Sequence, residues 1–157
     1  MEIIIEKAGS HEAETLVNIY RDAYAENESL GLPACASKVT VKEVQDWINN
    51  TILLTAKEKQ TNTIVATVRF KYSEEWQCYV HSRLAVNSLN KGRGLATKLM
   101  KHGECMLSEM NEKVVRLTVA QTHPYLPKMY EKKGYKIVGE RLLNNLPYNE
   151  FIMEKIL

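Results

Sequence analysis

"LAVNSLNKGRGLATKLM", residues 84–100, joins an apolar strand end to a polar turn, then to two glycines two residues apart, and then to apolar residues at helical spacing. Glycines at the mouth of a helix let main-chain N–H groups approach a phosphate, and the helix N-terminus adds partial positive charge. The stretch by itself points to a phosphate-containing ligand. A dinucleotide fold would need GxGxxG and an acidic residue about 20 positions on, and a P-loop would need GxxxxGK followed by Ser or Thr. Neither spacing is present, and Gly92 and Gly94 equally suit a plain strand-to-helix turn. The surrounding elements have to decide.

Downstream, Leu95, Ala96, Leu99, Met100, Met106, Leu107 and Met110 recur at three- and four-residue steps, with Lys98, Lys101, Glu104 and Glu109 on the other side. This predicts one amphipathic helix from Arg93 to about Met110. "KVVRLTVA" reads as a strand, "PYLPKMYEKKG" as a short helix closed by Gly134, and "YKIVGERLL" with "YNEFIMEKIL" as a terminal strand pair. Upstream, "TILLTAKE", "TIVATVRFKYS" and "EWQCYVHSRLAV" are β-branched and aromatic, and read as consecutive antiparallel strands. Before them, "EIIIEKA" is a first strand, and Ser10 is a candidate N-cap for a helix carrying Leu16, Val17, Tyr20 and Tyr24 on one face. After a loop, "AENESLGLPACAS", Thr40 and Glu43 have capping-box spacing ahead of Val44, Trp47 and Ile48. The order is β-α-α-β-β-β-α-β-α-β-β, an α/β (α+β) arrangement.

Composition limits the function. The 157 residues suit one domain, 1–157, and 45% hydrophobic with 25% charged residues can build a core. Net charge is only +2, from 21 basic and 19 acidic side chains interspersed along the chain, so no nucleic-acid partner and no anionic membrane is implied. No stretch approaches the roughly 20 apolar residues of a membrane span, so a cytoplasmic protein is expected. Cys35, Cys78 and Cys105 are odd in number and lack CxxC spacing, which argues against disulfides and against a zinc site.

"KGRGLA", residues 91–96, fits the pattern of Gln or Arg, two residues, Gly, one residue, then Gly or Ala, with Lys91 in the first place. "LAV" lies four polar or turn residues ahead of it, and "MYEKKGYKIVGE" follows on a helix-to-strand segment. In these motifs and in element order, the whole chain resembles the GNAT family of acyl-CoA N-acyltransferases. The resemblance implies the GNAT fold: a mixed, mostly antiparallel central sheet of about seven strands, flanked by about four helices, with the fourth and fifth strands splayed. It also implies acetyl-CoA as cosubstrate, no metal, and an amine acceptor, in a monomer or homodimer. Lys91, Gly92, Arg93, Gly94, Leu95, Ala96 and Thr97 would surround the pyrophosphate. Leu84, Ala85 and Val86 would offer main-chain groups to the pantetheine arm, beside Tyr130 and His123. His123 stands where many relatives have asparagine, and Asn87-Ser88 where many have His-Pro.

The implied chemistry is direct transfer. A neutral amine attacks the thioester, a main-chain N–H of Leu84 or Ala85 meets the developing negative charge, and Tyr130 returns a proton to the leaving thiolate. Tyr130 also has packing spacing from Leu126. The alternative class is a CoA-binding sensor without catalysis. The base is less visible. Strand alternation puts Val80, Ser82 and Leu84 on one face, with Cys78 further back, and His81 and Arg83 on the other. That aims His81 poorly unless a bulge turns it, so a surface or packing role is expected there. Ser82 acting through a water, Glu74 and Glu75 are the other candidates. Cys78 reads as a small buried hydrophobe rather than a nucleophile, and His11 and His102 as helix-surface residues. The loops "AENESLGLPACAS" and "NNLPYNE" are expected to frame the acceptor, with Glu26 and Glu28 as groups for a cationic amine or as solvated charges.

Overall fold

β-Branched and apolar residues on both sides of the polar turn at 59–62 pair into a hairpin, β2 (Ile52–Glu58) and β3 (Thr63–Ser73), whose central residues are buried without alternation. A strand apolar on both sides needs both faces covered, and in this computed structural model, which describes residues 2–32 and 35–157, helices lie on each face. β1 (Ile3–Lys7) pairs with β2, and β4 (Cys78–Val86) with β3, both antiparallel. β5 (Val114–Ala120) joins β4 in parallel. β7 (Glu150–Ile156) then inserts between β5 and the outer strand β6 (Lys136–Arg141), giving the order β1-β2-β3-β4-β5-β7-β6. All seven expected strands form.

Helices α1 (Ala13–Ser29) and α2 (Val41–Asn50) pack Leu16, Tyr20 and Val44 on one face of the sheet, against Leu53 and Ile64. On the other face α3 (Leu95–Glu109) and α4 (Leu126–Lys132) bring Leu99, Leu107 and Tyr130 onto Phe70, Leu117 and Met153. Thr40 caps α2 as its spacing predicts, its Oγ1 accepting from the Glu43 N–H at 3.3 Å.

Three expectations are corrected. Ser10 does not cap α1; it opens a 3₁₀ turn, Ser10–Glu12, in which Glu12 Oε1 accepts from the Gly9 N–H at 2.9 Å, and α1 starts at Ala13. Residues 25–29, expected as loop, continue α1, because alanine and glutamate favour helix and no breaker precedes Gly31. Pro33 and Ala34 of that loop lie outside the described residues. Glu104, expected on the solvent side of α3, is 8% exposed and accepts from Tyr135 Oη and Lys155 Nζ, each at 2.8 Å. A buried carboxylate with two donors, one charged, is a satisfied one.

The flank of α3 lies unusually close to the sheet at Gly103. A Cβ there would fall 2.1 Å from Phe70 Cε2, and Phe70 is fully buried. Alanine gains about 1 kcal/mol of helix propensity over glycine, whereas overpacking a closed core costs about 1–3 kcal/mol. Gly103→Ala is therefore expected to lower Tm in thermal unfolding; an unchanged or higher Tm would show that Phe70 gives way freely. Cys78 is buried and Cys105 exposed, both as free thiols, while the Cys35 side chain is outside the described part. His11 and His102 are exposed as expected. Among the described residues no helix is long and apolar enough to cross a membrane.

Candidate active site

The parallel ladder between β4 and β5 holds only at Tyr79 with Val115 and Val80 with Arg116. Beyond it the two strands part. The cause is visible in β4: Thr67 of β3 faces Ala85 while Arg69 faces Ser82, so β4 carries an extra residue, and Arg83 sits at φ 52°. A positive φ at a side chain as large as arginine marks a bulge held against local preference. The bulge overturns the simple alternation. Ser82 stays on the face of Val80, the α2 side, opposite His81 as alternation expects, and its hydroxyl accepts from Arg69 Nε at 3.0 Å; Arg83 joins it there over Trp47. Leu84 packs instead into the α3 and α4 core, and Ala85 into the α1 and α2 core.

The bulge also sorts main-chain groups. Asn87 N–H donates to Val65 O at 2.9 Å, so ladder alternation turns the amide of Ala85 toward β3 and that of Val86 away from it. The Leu84 carbonyl accepts from Tyr24 Oη of α1 at 2.9 Å, so Leu84 also points away from β3. Leu84 and Val86 thus present their main-chain groups toward the gap between β4 and β5.

At one end of this gap lies the turn into α3. Gly92 (φ 79°) and Gly94 (φ 74°) take conformations that favour glycine, and an added Cβ at either would meet open space. Gly94 caps α3 without a side-chain acceptor, and the Lys98 N–H is the one that bonds back to the Gly94 carbonyl at 3.1 Å. The N–H groups of Leu95, Ala96 and Thr97 therefore have no intrahelical partner. Lys133, from beyond α4, places its ammonium on Thr97 Oγ1. The ammonium of Lys91 lies 3.4 Å from Glu26.

A cavity of about 430 Å³ connects these features, lined by the turn at Lys91, Gly92 and Gly94, by residues 81–86 of β4, and by His123 and Tyr130. Arg93 and Thr97 lie outside its lining. Tyr130 is 6% exposed, set edge-on to His81 and Tyr135 with ring centroids 5.9 Å away in both cases. Burial raises its phenol well above the ordinary value, so it stays protonated, and no described residue hydrogen-bonds its hydroxyl. His81 is buried, not on the surface. Desolvation pulls it down to about 4, and its Nε2 has no partner, so it is a neutral and weakly basic ring in the cavity wall. His123 Nδ1 accepts from the N–H groups of Tyr125 and Leu126 at 3.3 and 3.2 Å. That fixes the tautomer with the proton on Nε2, making His123 a donor and not a base.

A family model described as an acetyltransferase (GNAT) domain matches residues 13–146. The chain belongs to the GNAT acetyltransferase family. No curated protein sequence matches it. Among solved structures, the PaiA N-acetyltransferase of Thermoplasma acidophilum, in complex with coenzyme A, superposes with TM-score 0.81 at 18% identity over 100% of both chains. A ribosomal-protein-alanine N-acetyltransferase from Brucella melitensis gives 0.79 at 17% identity over 98% of this chain and 99% of that one. Salmonella typhimurium yncA, solved with its cofactor acetyl-CoA, gives 0.79 at 13% over 100% and 95%. At these identities the likeness is one of fold, a seven-stranded mixed sheet with a parallel β4–β5 pair.

In this GNAT chain several site residues had escaped the sequence reading. Tyr24 looked like one more apolar position of α1, yet it holds the Leu84 carbonyl. Tyr125 donates to both oxygens of Glu26, at 3.0 and 2.9 Å, and this hydrogen bond holds the Glu26 carboxyl below the ordinary range, with Lys91 adding to the effect. Glu26 is thereby a clasp between α1 and the loop before α4. Glu28 accepts from Ser37 Oγ at 2.7 Å. Glu150, only one letter of "NNLPYNE" in the sequence, lines the same cavity as Tyr130. Burial raises its carboxyl, offset in part by Arg141 at 3.5 Å, by hydrogen bonding from Thr118 and by the charge of Arg83. Glu74 and Glu75 border a second cavity of about 690 Å³ on the α2 side of the bulge, and do not line the first.

Proposed function

We propose that this chain is an acetyl-CoA-dependent N-acetyltransferase that passes an acetyl group directly to the primary amine of a small molecule, amino acid or peptide. The observation that carries the reading is the continuous cavity from the open α3 N-terminus, along the gap beside Leu84 and Val86, to the unpartnered hydroxyl of Tyr130. The donor set fits coenzyme A. A pyrophosphate calls for convergent N–H donors and positive charge, and residues 95–97 with Lys91 and Lys133 offer both. An amide-rich arm calls for free main-chain groups: Leu84 offers its N–H, its carbonyl being held by Tyr24, and Val86 offers its own groups, with the Nε2 proton of His123 beside them.

When bound, acetyl-CoA supplies an activated acyl carbon on a thiol leaving group. Of the two expected donors to the developing negative charge, Leu84 is favoured over Ala85, whose amide is turned to β3. Tyr130 holds its proton at neutral pH and offers it from a fixed position to the leaving sulfur. Glu150 is the fitting base for the amine. His81 is too weakly basic, His123 is committed as a donor, and Glu26 is occupied by Tyr125 and Lys91. Ser82 keeps its hydroxyl proton and can position a water between Glu150 and the amine.

Following thiol release from acetyl-CoA against a panel of primary amines tests the reading, with saturable turnover on at least one class expected. Saturable binding of CoA with no turnover on any amine would favour a ligand sensor, and no binding would sink both. Gly94→Glu sets an acidic side chain, at a strained φ, against the donors of α3, so at least a tenfold loss of CoA affinity is expected by calorimetry. Unchanged affinity would remove the turn from the binding site.

A further inference from the structure

Two guanidinium groups pack on one indole without a carboxylate between them. The carbon of the Arg69 guanidinium lies 4.7 Å from the Trp47 ring centroid, and that of Arg83 lies 5.4 Å from it. Arg69 is 8% exposed and bonds only a neutral hydroxyl, Ser82 Oγ; Arg83 Nε is buried with no partner. Among the described residues neither forms an ion pair. Two like charges side by side, Arg69 buried and Arg83 half-buried, with no carboxylate in ion-pair contact and only Glu150 acting on Arg83 from further off, are costly to hold. Desolvation together with the neighbouring Arg83 brings Arg69 down to about 10. The fold has kept this pair where an anion would relieve it.

The place is informative. Both arginines line the cavity of about 690 Å³ on the α2 side of the bulge. Ser82, Arg83 and Thr118 line this cavity and also the one that reaches Tyr130 and Glu150, so the two meet at the bulge. Acidic groups of the second cavity, Glu74, Glu75 and Glu140, are exposed residues, whereas Arg69 is buried and Arg83 half-buried. The positive φ at Arg83 is what brings that guanidinium to the Trp47 side, so the same distortion opens the gap and builds the charge pair.

We propose that the acceptor is a small amine carrying a carboxylate, that Arg69 and Arg83, stacked on Trp47, seat this carboxylate in the second cavity, and that its amine thereby faces the junction beside Ser82 and Thr118. This rests on the transfer reading above and names its substrate class. Guanidinium groups suit the task because their planar N–H forks match a carboxylate. The pair also repels a substrate that brings a second ammonium group in place of the carboxylate.

The test uses amines that differ only by a carboxylate: 4-aminobutyrate with propylamine, and phenylalanine with phenethylamine. In thiol release, kcat/KM is expected to be at least tenfold higher for the carboxylate member of a pair. Arg69→Gln and Arg83→Gln should each bring the ratio close to one while the KM for acetyl-CoA stays within about twofold, and Arg83→Lys should restore part of it. Equal or inverted preference in the parent, or preference that survives both glutamine variants, overturns the proposal and leaves acetyl transfer standing. A second readout needs no chemistry. Of the chain's two tryptophans, Trp76 lines this cavity and Trp47 stacks under both guanidinium groups, so the fluorescence should change saturably with 4-aminobutyrate, not with propylamine, and not in Arg83→Gln. Absence of that change overturns the carboxylate seat whatever the turnover, and its presence alongside acetyl-CoA binding without turnover would sink the transfer reading alone.

Discussion

Tyr130→Phe is expected to lower kcat by about 100-fold to 1,000-fold, with the KM for acetyl-CoA held within about threefold and Tm unchanged or slightly raised. The three parts have one origin. The ring is packed edge-on between His81 and Tyr135, and phenylalanine keeps that packing. Only the hydroxyl is lost, and it has no hydrogen-bond partner among the described residues. The hydroxyl faces the cavity and bonds no described residue, so removing it breaks no bond within the fold and stability should not fall. A packing tyrosine would show the reverse, with little change in rate. Because burial raises the phenol, it stays protonated through the ordinary working range. The ratio of parent to variant rates should therefore be flat from about pH 6 to pH 9. A ratio that collapses at the alkaline end, or equal rates at all pH values, would remove Tyr130 as the proton donor.

The same residue shows how far the sequence could be read. Tyr130 was placed by resemblance and by helical spacing, and both signals are local. So are the β-branched runs that became β2, β3 and β5, the Thr40 cap, and the glycine turn ahead of α3. What the sequence hid is non-local. The bulge at Arg83 follows from β3 and β4 pairing over unequal lengths, and an alternation count cannot see it. It reassigned the faces of Arg83 and Leu84 in one step, and left Val80 and Ser82 opposite His81 as expected. Glu104 looked solvated because its partners, Tyr135 and Lys155, come from distant parts of the chain. Gly103 looked like a weak point in a helix, and its reason is the Phe70 ring from another strand. His123 departs from the asparagine of many relatives, yet its Nδ1 accepts two main-chain N–H groups as an amide oxygen would, which no spacing rule conveys.

Glu150→Gln carries the second large effect: about a 100-fold loss of kcat/KM for the amine at pH 8, with the KM for acetyl-CoA unchanged. Glutamine keeps the shape and an oxygen to accept from Thr118, and loses only the ability to take a proton. The pH dependence has a definite sign. Burial raises the Glu150 carboxyl above the ordinary glutamate range, so the carboxylate exists only above that raised value. Below it parent and variant both lack the base and their rates should converge; above it the ratio should climb and level off. Ionisation of the amine acts on both proteins alike and cancels in the ratio. Stability separates this from a structural role. A carboxyl whose folded pKa is raised contributes its stability at low pH and loses it as pH rises through that value, so at pH 8 the ionised form is a burden on the fold. Arg141, the ion-pair partner, has a side chain 53% exposed, so loss of that contact costs little. The variant should therefore unfold at the same temperature as the parent or higher at pH 8. A rate ratio independent of pH, or a lost rate accompanied by a lowered Tm, would assign Glu150 to holding β6 and β7 together and return the base to a water on Ser82.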